Sequence, residues 1–321
     1  MRLLVTGGAG FIGSNYVRRI LDGSLCGVDS LTVLDKLTYA GSMSNFAGIE
    51  SNDFEFIKGD ICDHSIVSKL VSRNDAIVNF AAESHVDRSI SDPRDFIVTN
   101  VLGTNTLLNA ARQKEGFVFV QISTDEVYGS ITFGSAREDS QLQPNSPYSS
   151  SKASADLLAR SYFRTYGTDV RITRCTNNYG PNQFPEKFIP LLITNLLDDE
   201  SVPIYGDGAN IRDWLHVDDH CRAIHLVLEK GSSGNIYNIG GGTEISNIDL
   251  AKKVLKLMGK AESSIEFIAD RLGHDFRYSV NYNKITSELG YTPVVRFEDG
   301  IMDTVNWYME NRSWWKPLKI L

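Results

Sequence analysis

The sequence has 321 residues, 42% of them hydrophobic and 22% charged, which suits one large or two closely associated domains around a buried core and excludes a disordered chain. A formal net charge of -8 offers no basic field to nucleic acid, and the basic pairs Arg18-Arg19 and Lys252-Lys253 fall in helical patterns as solvated faces. Residues 1–6 lead straight into a glycine run with no room for a signal peptide or spanning segment, so a cytoplasmic protein with no membrane partner is expected.

In chain order, apolar runs at 3–6, 31–35, 54–58, 76–80, 118–123 and 170–174 alternate with amphipathic stretches, the pattern of parallel strands joined by crossover helices. The expected fold class is α/β, a doubly wound parallel Rossmann sheet with a smaller, interleaved α/β substrate-binding domain. Gly7-Gly8-Ala9-Gly10-Phe11-Ile12-Gly13 follows the first run and opens a helix. Glycines at 7, 10 and 13 supply a tight turn, close approach of backbone to a pyrophosphate and close helix packing, and the helix N-terminus favours the anion. Asp35 ends the second run 22 residues after Gly13, where its carboxylate suits a ribose 2′-hydroxyl and favours NAD over NADP; an ordinary turn residue is the alternative. Asp60, after the third run, has two readings, a turn cap or a contact to the adenine edge. Ala81 and Ala82, after the fourth, are small enough for a cofactor to approach and equally suit a core.

The fifth run ends in Ser123-Thr124-Asp125-Glu126-Val127-Tyr128, and a helical pattern begins after Pro147 with Tyr148-Ser149-Ser150-Ser151-Lys152. Tyr148 and Lys152 share one helix face, so the ammonium can lower the phenol's pKa and create a base for a sugar hydroxyl. Asp125 and Glu126 add a second acid/base pair that simple hydride transfer does not require, which points to loss of water from an oxidised substrate. Two close carboxyls resist joint ionisation and separate into acid and base; a solvated loop pair is the plain alternative, as a turn cap is for Thr124.

Beyond Cys175 the alternation stops, and Gly-, Pro- and Asn-richer stretches at 177–185 and 205–210 suit substrate-binding segments. The helix around 217–228 and the run 236–239 look like returns to the first domain. The expected division is residues 1–176 with about 212–240 for NAD, and about 177–211 with 241–321 for a nucleotide sugar. His216, His220 and His225 share their helix with Ile224, Val227 and Leu228 and read as packing, so no metal is expected. Cys26, Cys62, Cys175 and Cys221 form no CxxC pair and read as reduced thiols or core residues. Trp307, Trp314 and Trp315 read as packing anchors.

Together, residues 6–13, 81–89, 123–128, 148–152, 177–181, 185–187, 205–208 and 271–278 resemble the dTDP-glucose 4,6-dehydratase family of extended short-chain dehydrogenase/reductases, over nearly the whole length. The resemblance implies an NAD-dependent lyase. Tyr148, assisted by Lys152 and the nicotinamide charge, would take the 4-hydroxyl proton as hydride leaves C4. Glu126 would then remove the C5 proton while a protonated Asp125 serves the departing 6-hydroxyl, and the hydride returns to C6. Thr124 would bond O4. NAD ends unchanged and stays bound.

By matching position, the resemblance assigns the cofactor to Gly7, Gly10, Phe11, Ile12, Gly13, Asp35, Lys36, Thr38, Asp60, Ile61, Ala81, Ala82, Thr99, Tyr148, Lys152 and Asn178. It assigns the substrate to Ser84, Thr124, Asn177, Lys187, Phe188, Pro203, Tyr205, Arg212, Asn247, Arg271, His274 and Asp275. Arg212 and Lys187, with Arg271 and His274 as further ones, are candidate cations for a diphosphate, and a surface charge is the alternative for each. Tyr205 and Asn247 suit stacking and edge contacts to a pyrimidine, thymine or uracil alike. A homodimer is also implied, through helices carrying Leu107, Leu108, Leu157 and Leu158, though those leucines equally suit covering the sheet. A nucleotide-sugar 4-epimerase shares the Tyr/Lys pair but has no task for Asp125-Glu126. A dehydratase for another nucleotide sugar would share the whole catalytic set, whereas a non-catalytic NAD-binding protein has no physical need of it.

Overall fold

The computed structural model describes residues 1–320; Leu321, the last position of the expected sugar-binding part, lies outside the described residues. The six apolar runs form β1 (Arg2–Thr6), β2 (Ser30–Asp35), β3 (Phe54–Lys58), β4 (Ala76–Asn79), β5 (Val118–Thr124) and β6 (Asp169–Cys175). Then follow β7 (Asn177–Tyr179), β8 (Val202–Tyr205), β9 (Ile211–His216), β10 (Ile236–Ile239), β11 (Glu244–Ser246) and β12 (Ile265–Ile268). Seven strands make one sheet in the order β10-β6-β5-β4-β1-β2-β3, every pairing parallel. This is the doubly wound sheet expected from the alternation, with β10 added beyond β6 at the register Ile236 to Ile172.

Continuous apolar runs suit these strands because helices cover both faces. Side chains alternate across the sheet: Leu3 and Val5 join one core with helices Phe11–Leu21 and Val217–Lys230, while Leu4 joins the other with helices His64–Arg73, Thr104–Ala111 and Pro147–Tyr166. Leu107 and Leu108 are buried in that second core, so they cover the sheet rather than offer a dimer surface. A third core gathers Leu192, Ile204, Trp214, Leu250, Ile301 and Trp315 around two smaller sheets, β11-β9-β7 and β12-β8. Arg174 of β6 and Asp156 of helix Pro147–Tyr166 form a fully buried ion pair at 2.9 Å, with Arg174 also donating to the Tyr128 hydroxyl at 2.8 Å. Among the described residues no helix is long and apolar enough to cross a membrane.

The helix carrying Tyr148 and Lys152 starts where its sequence says it should. Ser146 and Ser149 make a reciprocal capping box, Pro147 occupies the first turn, and Gly167 ends the helix in the left-handed region at φ +70°. The parallel sheet directs the C-terminal ends of β1, β2, β4 and β5 to one edge, and the principal cleft opens there.

Candidate active site

The cleft has a volume of about 310 Å³. Its floor is backbone. Gly7 sits at φ +69°, and a Cβ there would lie 2.5 Å from the Ala81 amide nitrogen; a Cβ on Gly13 would lie 2.4 Å from the Gly7 carbonyl. Both therefore hold the first turn tight against β4 and against itself. A Cβ on Gly10 would meet the Gly7 carbonyl at 3.4 Å, an ordinary contact, and Gly10 lines the cleft as the N-cap of helix Phe11–Leu21. That helix has no acidic residue in its first turn, so its amides present an unopposed positive end. Asp35 accepts from the Ala9 amide at 2.9 Å and the Leu37 amide at 2.8 Å, which fixes its carboxylate on the cleft wall. These features fit a dinucleotide: an amide cradle after β1, flanked by an anchored carboxylate after β2 and by small Ala81 and Ala82 after β4.

All sixteen positions expected at the cofactor line this one cleft. Asp60 answers to the turn reading as well, since it accepts from the Cys62 amide at 2.9 Å and pairs with Lys36 at 2.8 Å. Thr99 arrives on a π-helical turn, Ile97–Gly103. Asn100 of that turn bonds both main-chain groups of Glu83 and donates to Ser151 Oγ at 2.8 Å, tying the turn to the loop after β4 and to the Tyr148 helix.

β5 runs out at Thr124 into a single helical turn, Asp125–Tyr128. Thr124 Oγ1 accepts from the Glu126 amide at 3.3 Å and donates to Asp125 Oδ1 at 3.2 Å, so it is a turn cap and an acid's partner at once. Asp125 is 3% exposed, and its Oδ2 has no partner among the described residues. Burial, then the neighbouring Glu126 charge, raise Asp125 well above its ordinary value, which favours its acid form. Burial also raises Glu126, but Arg212, Lys187 and Arg271 oppose it. The two carboxyls thus have the unequal environments that separate an acid from a base.

Tyr148 and Lys152 meet the same cleft. Burial works against the lowering of the phenol's pKa expected from Lys152. Burial pushes Tyr148 well above its usual value, with Glu126, Cys175 and Asp125 adding to it and the Thr124 hydroxyl opposing them. Lys152 is itself lowered by burial and donates to the Ile122 carbonyl at 2.6 Å. The protein's own groups store the phenol protonated, and its activation needs a positive charge brought into the cleft. Asn178 is oriented by His220, whose Nδ1 lies 2.9 Å from Asn178 Oδ1, and burial pushes that imidazole down to about 3. His216 caps Asp218, and His225 bonds Tyr16 and the Cys26 carbonyl, so the three histidines serve separate partners. Among the described residues no group of His, Cys, Asp and Glu could hold a metal.

A second cavity of about 70 Å³ shares Glu126 and Asn177 with the cleft and brings in Arg212, Arg271, His274 and Asp275. Arg212 lies with its guanidinium carbon 4.2 Å from the Tyr278 ring centre and donates to the Asp275 carbonyl at 2.9 Å. Ser84, Thr124 and Lys187 line the main cleft, where Lys187 donates to the Ser84 carbonyl at 2.7 Å. Phe188, Pro203, Tyr205 and Asn247 line neither cavity. Phe188 stacks on Trp214, Pro203 lies in β8, and the Asn247 amide donates to Asn210; Tyr205 has one face against Arg271.

Sequence reasoning passes over Tyr39, Glu83, Gln183, Phe184 and Glu186. The last four line the cleft, and the Tyr39 hydroxyl donates to Glu186 at 2.8 Å while Arg88 lies over the Tyr39 ring at 3.7 Å. Glu83 and Glu186 stand inside two of the family-like segments, 81–89 and 185–187; no local signal links Tyr39 to a partner 147 positions away.

Residues 4–304 match the family model described as GDP-mannose 4,6 dehydratase. The chain is 55% identical over 322 residues to a dTDP-glucose 4,6-dehydratase of Streptomyces niveus, covering 99% of this chain and 96% of that one. It is 51% identical to the low-salt glycan biosynthesis protein Agl12 of Haloferax volcanii, covering 96% and 99%. The structure of DesIV, a dTDP-glucose 4,6-dehydratase from Streptomyces venezuelae with NAD and TYD bound, superposes with a TM-score of 0.98 at 56% identity, covering 99% of this chain and 100% of that one.

Proposed function

The chain belongs to the dTDP-glucose 4,6-dehydratases of the extended short-chain dehydrogenase/reductase superfamily, and we propose on that footing how its residues convert dTDP-glucose to dTDP-4-keto-6-deoxyglucose and water. Bound NAD supplies the hydride acceptor for C4 and the donor for C6, and ends each turnover unchanged. Tyr148 takes the 4-hydroxyl proton, with Thr124 holding O4 and Lys152 fixing the phenol's surroundings. Glu126 removes the proton at C5, which the C4 ketone has acidified, and later returns it. Asp125 gives its proton to the departing 6-hydroxyl. Lys187, Arg212 and Arg271 neutralise the diphosphate.

The single observation that carries this reading is the Asp125-Glu126 pair at the end of β5, Asp125 buried and Glu126 half-buried, in the cleft that Tyr148 also lines. A 4-epimerase needs the Tyr/Lys pair but no second acid and base. Incubating the purified protein with dTDP-glucose, without added NAD, tests it: the product has lost one water and carries a C4 ketone and C6 methyl by mass and NMR. No conversion even with NAD added overturns it.

Two broader features belong to the same proposal. The NAD part comprises residues 1–176 and about 212–240 and the sugar part the rest, a division supported by two cores on the parallel sheet and a third around the smaller sheets, except that β9 pairs in a smaller sheet while Ile285 and Tyr291 pack into a core of the parallel sheet. A homodimer is supported by Ile97, Leu102 and Leu157, which are 51%, 52% and 53% exposed on neighbouring helical segments. Sedimentation of the purified protein as a monomer at micromolar concentration overturns the dimer.

A further inference from the structure

One carboxylate beside the substrate cavity has no part in the chemistry above. Asp87, in the short helix Val86–Ser91, accepts from Arg271 Nε at 2.6 Å through Oδ1 and from Nη2 at 2.8 Å through Oδ2. The fork joins positions 184 apart, from the short helix after β4 to the segment after β12. The Tyr205 hydroxyl donates to Asp87 Oδ2 at 3.3 Å, and the guanidinium carbon of Arg271 lies 4.9 Å from the Tyr205 ring centre. His85 Nε2 stands 3.9 Å from the same carboxylate oxygen.

Arg271 is thus held along one edge by Asp87 and on one face by Tyr205, while it lines the cavity shared with Arg212 and His274. A planar guanidinium gripped at Nε and Nη2 cannot turn about its Cδ–Nε bond, which leaves Nη1 as the side not engaged by Asp87. We propose that Asp87 is a positioning residue that aims Arg271 at the diphosphate of the nucleotide sugar; the inference rests on the dehydratase reading above. Two effects of the carboxylate oppose each other. Its charge repels a diphosphate, but it is 34% exposed and therefore screened by solvent. Its fork removes the rotamer freedom that a long cation otherwise loses on binding. The second effect wins in this geometry, so removing Asp87 weakens binding.

Calorimetric titration of dTDP and of thymidine into the NAD-loaded protein tests this. Asp87→Asn weakens dTDP about tenfold and leaves thymidine, which has no phosphate, within about twofold. Asp87→Glu keeps the charge but displaces the fork by one methylene, and weakens dTDP about threefold. In an Arg271→Ala background Asp87→Asn has no further effect. The inference is overturned if Asp87→Asn binds dTDP as tightly as the parent or more tightly, or if dTDP and thymidine weaken equally. Should Asp87→Asn not fold, the Asp87→Glu pair of titrations decides by the same criteria. A parent that binds no dTDP overturns the dehydratase reading and this inference together; an unaffected variant of a binding parent overturns Asp87 alone.

Discussion

The cleft has two ends built by different means. The dinucleotide end is made largely of main chain: three glycines, the amides of one helix start, and a carboxylate pinned by two further amides, all within the first 37 residues. The sugar-nucleotide end is made of side chains drawn from 84–87, 124–126, 177–187 and 271–275 and held by long-range contacts. The backbone site fails by an added Cβ at Gly7 or Gly13, whereas side-chain sites fail by losing a partner that sequence does not place next to them.

Substitutions that break this contrast can be ranked. Tyr148, where the two ends meet, has the largest effect: Tyr148→Phe is expected to lower turnover by about a thousandfold or more, with no reduced cofactor formed on rapid mixing with dTDP-glucose. Glu126→Gln is expected to be comparably slow overall, by about a thousandfold, yet to show reduced cofactor in the first turnover because its proton lies at C5. If reduced cofactor is absent there too, the division of labour between the two ends is wrong.

Gly13→Ala attacks the backbone end alone. A Cβ 2.4 Å from the Gly7 carbonyl and 2.8 Å from the Gly8 Cα forces the turn open. Loss of copurifying NAD and destabilisation of about 1–3 kcal/mol by denaturant titration are expected. A smaller effect concerns pH. Because the folded pKa of Asp125 lies above its unfolded value, the folded state holds the extra proton between them, and stability falls as pH rises from about 4 through that window. Asp125→Asn removes the loss, so its Tm should exceed the parent's by more at pH 8 than at pH 5. The smallest effect is expected at Asn247, which lines neither cavity: Asn247→Ala should raise KM by less than about threefold.

The same contrast decides what could be read from the amino acids. Gly7, Gly10, Gly13 and Asp35 were legible because turn, helix start and strand end are consecutive in sequence, and β10 was legible as an apolar run returning to the sheet. Asp125 and Glu126 were legible as a pair, but their unequal surroundings were not, since Arg212, Lys187 and Arg271 come from distant segments. Lys152 shows the limit of helical spacing: sharing a face with Tyr148 did not say that one of its ammonium protons goes to the Ile122 carbonyl or that burial raises the phenol. Leu107 and Leu108 had two readings, and the packing of the sheet's second face chose between them.

The core that covers one face of the parallel sheet draws Leu215 to Leu228 from the chain's middle, Tyr237 and Ile239 from β10, and Ile285 and Tyr291 from near its end. During synthesis, a ribosome that has released only the first 176 residues has delivered the glycine turn, Tyr148 and Lys152, but not the layer that hides Val120 and Ile122 from water. The nascent dinucleotide half therefore emerges with an apolar face uncovered and waits for more than a hundred further residues, the interval in which chaperone capture or misassembly competes with folding.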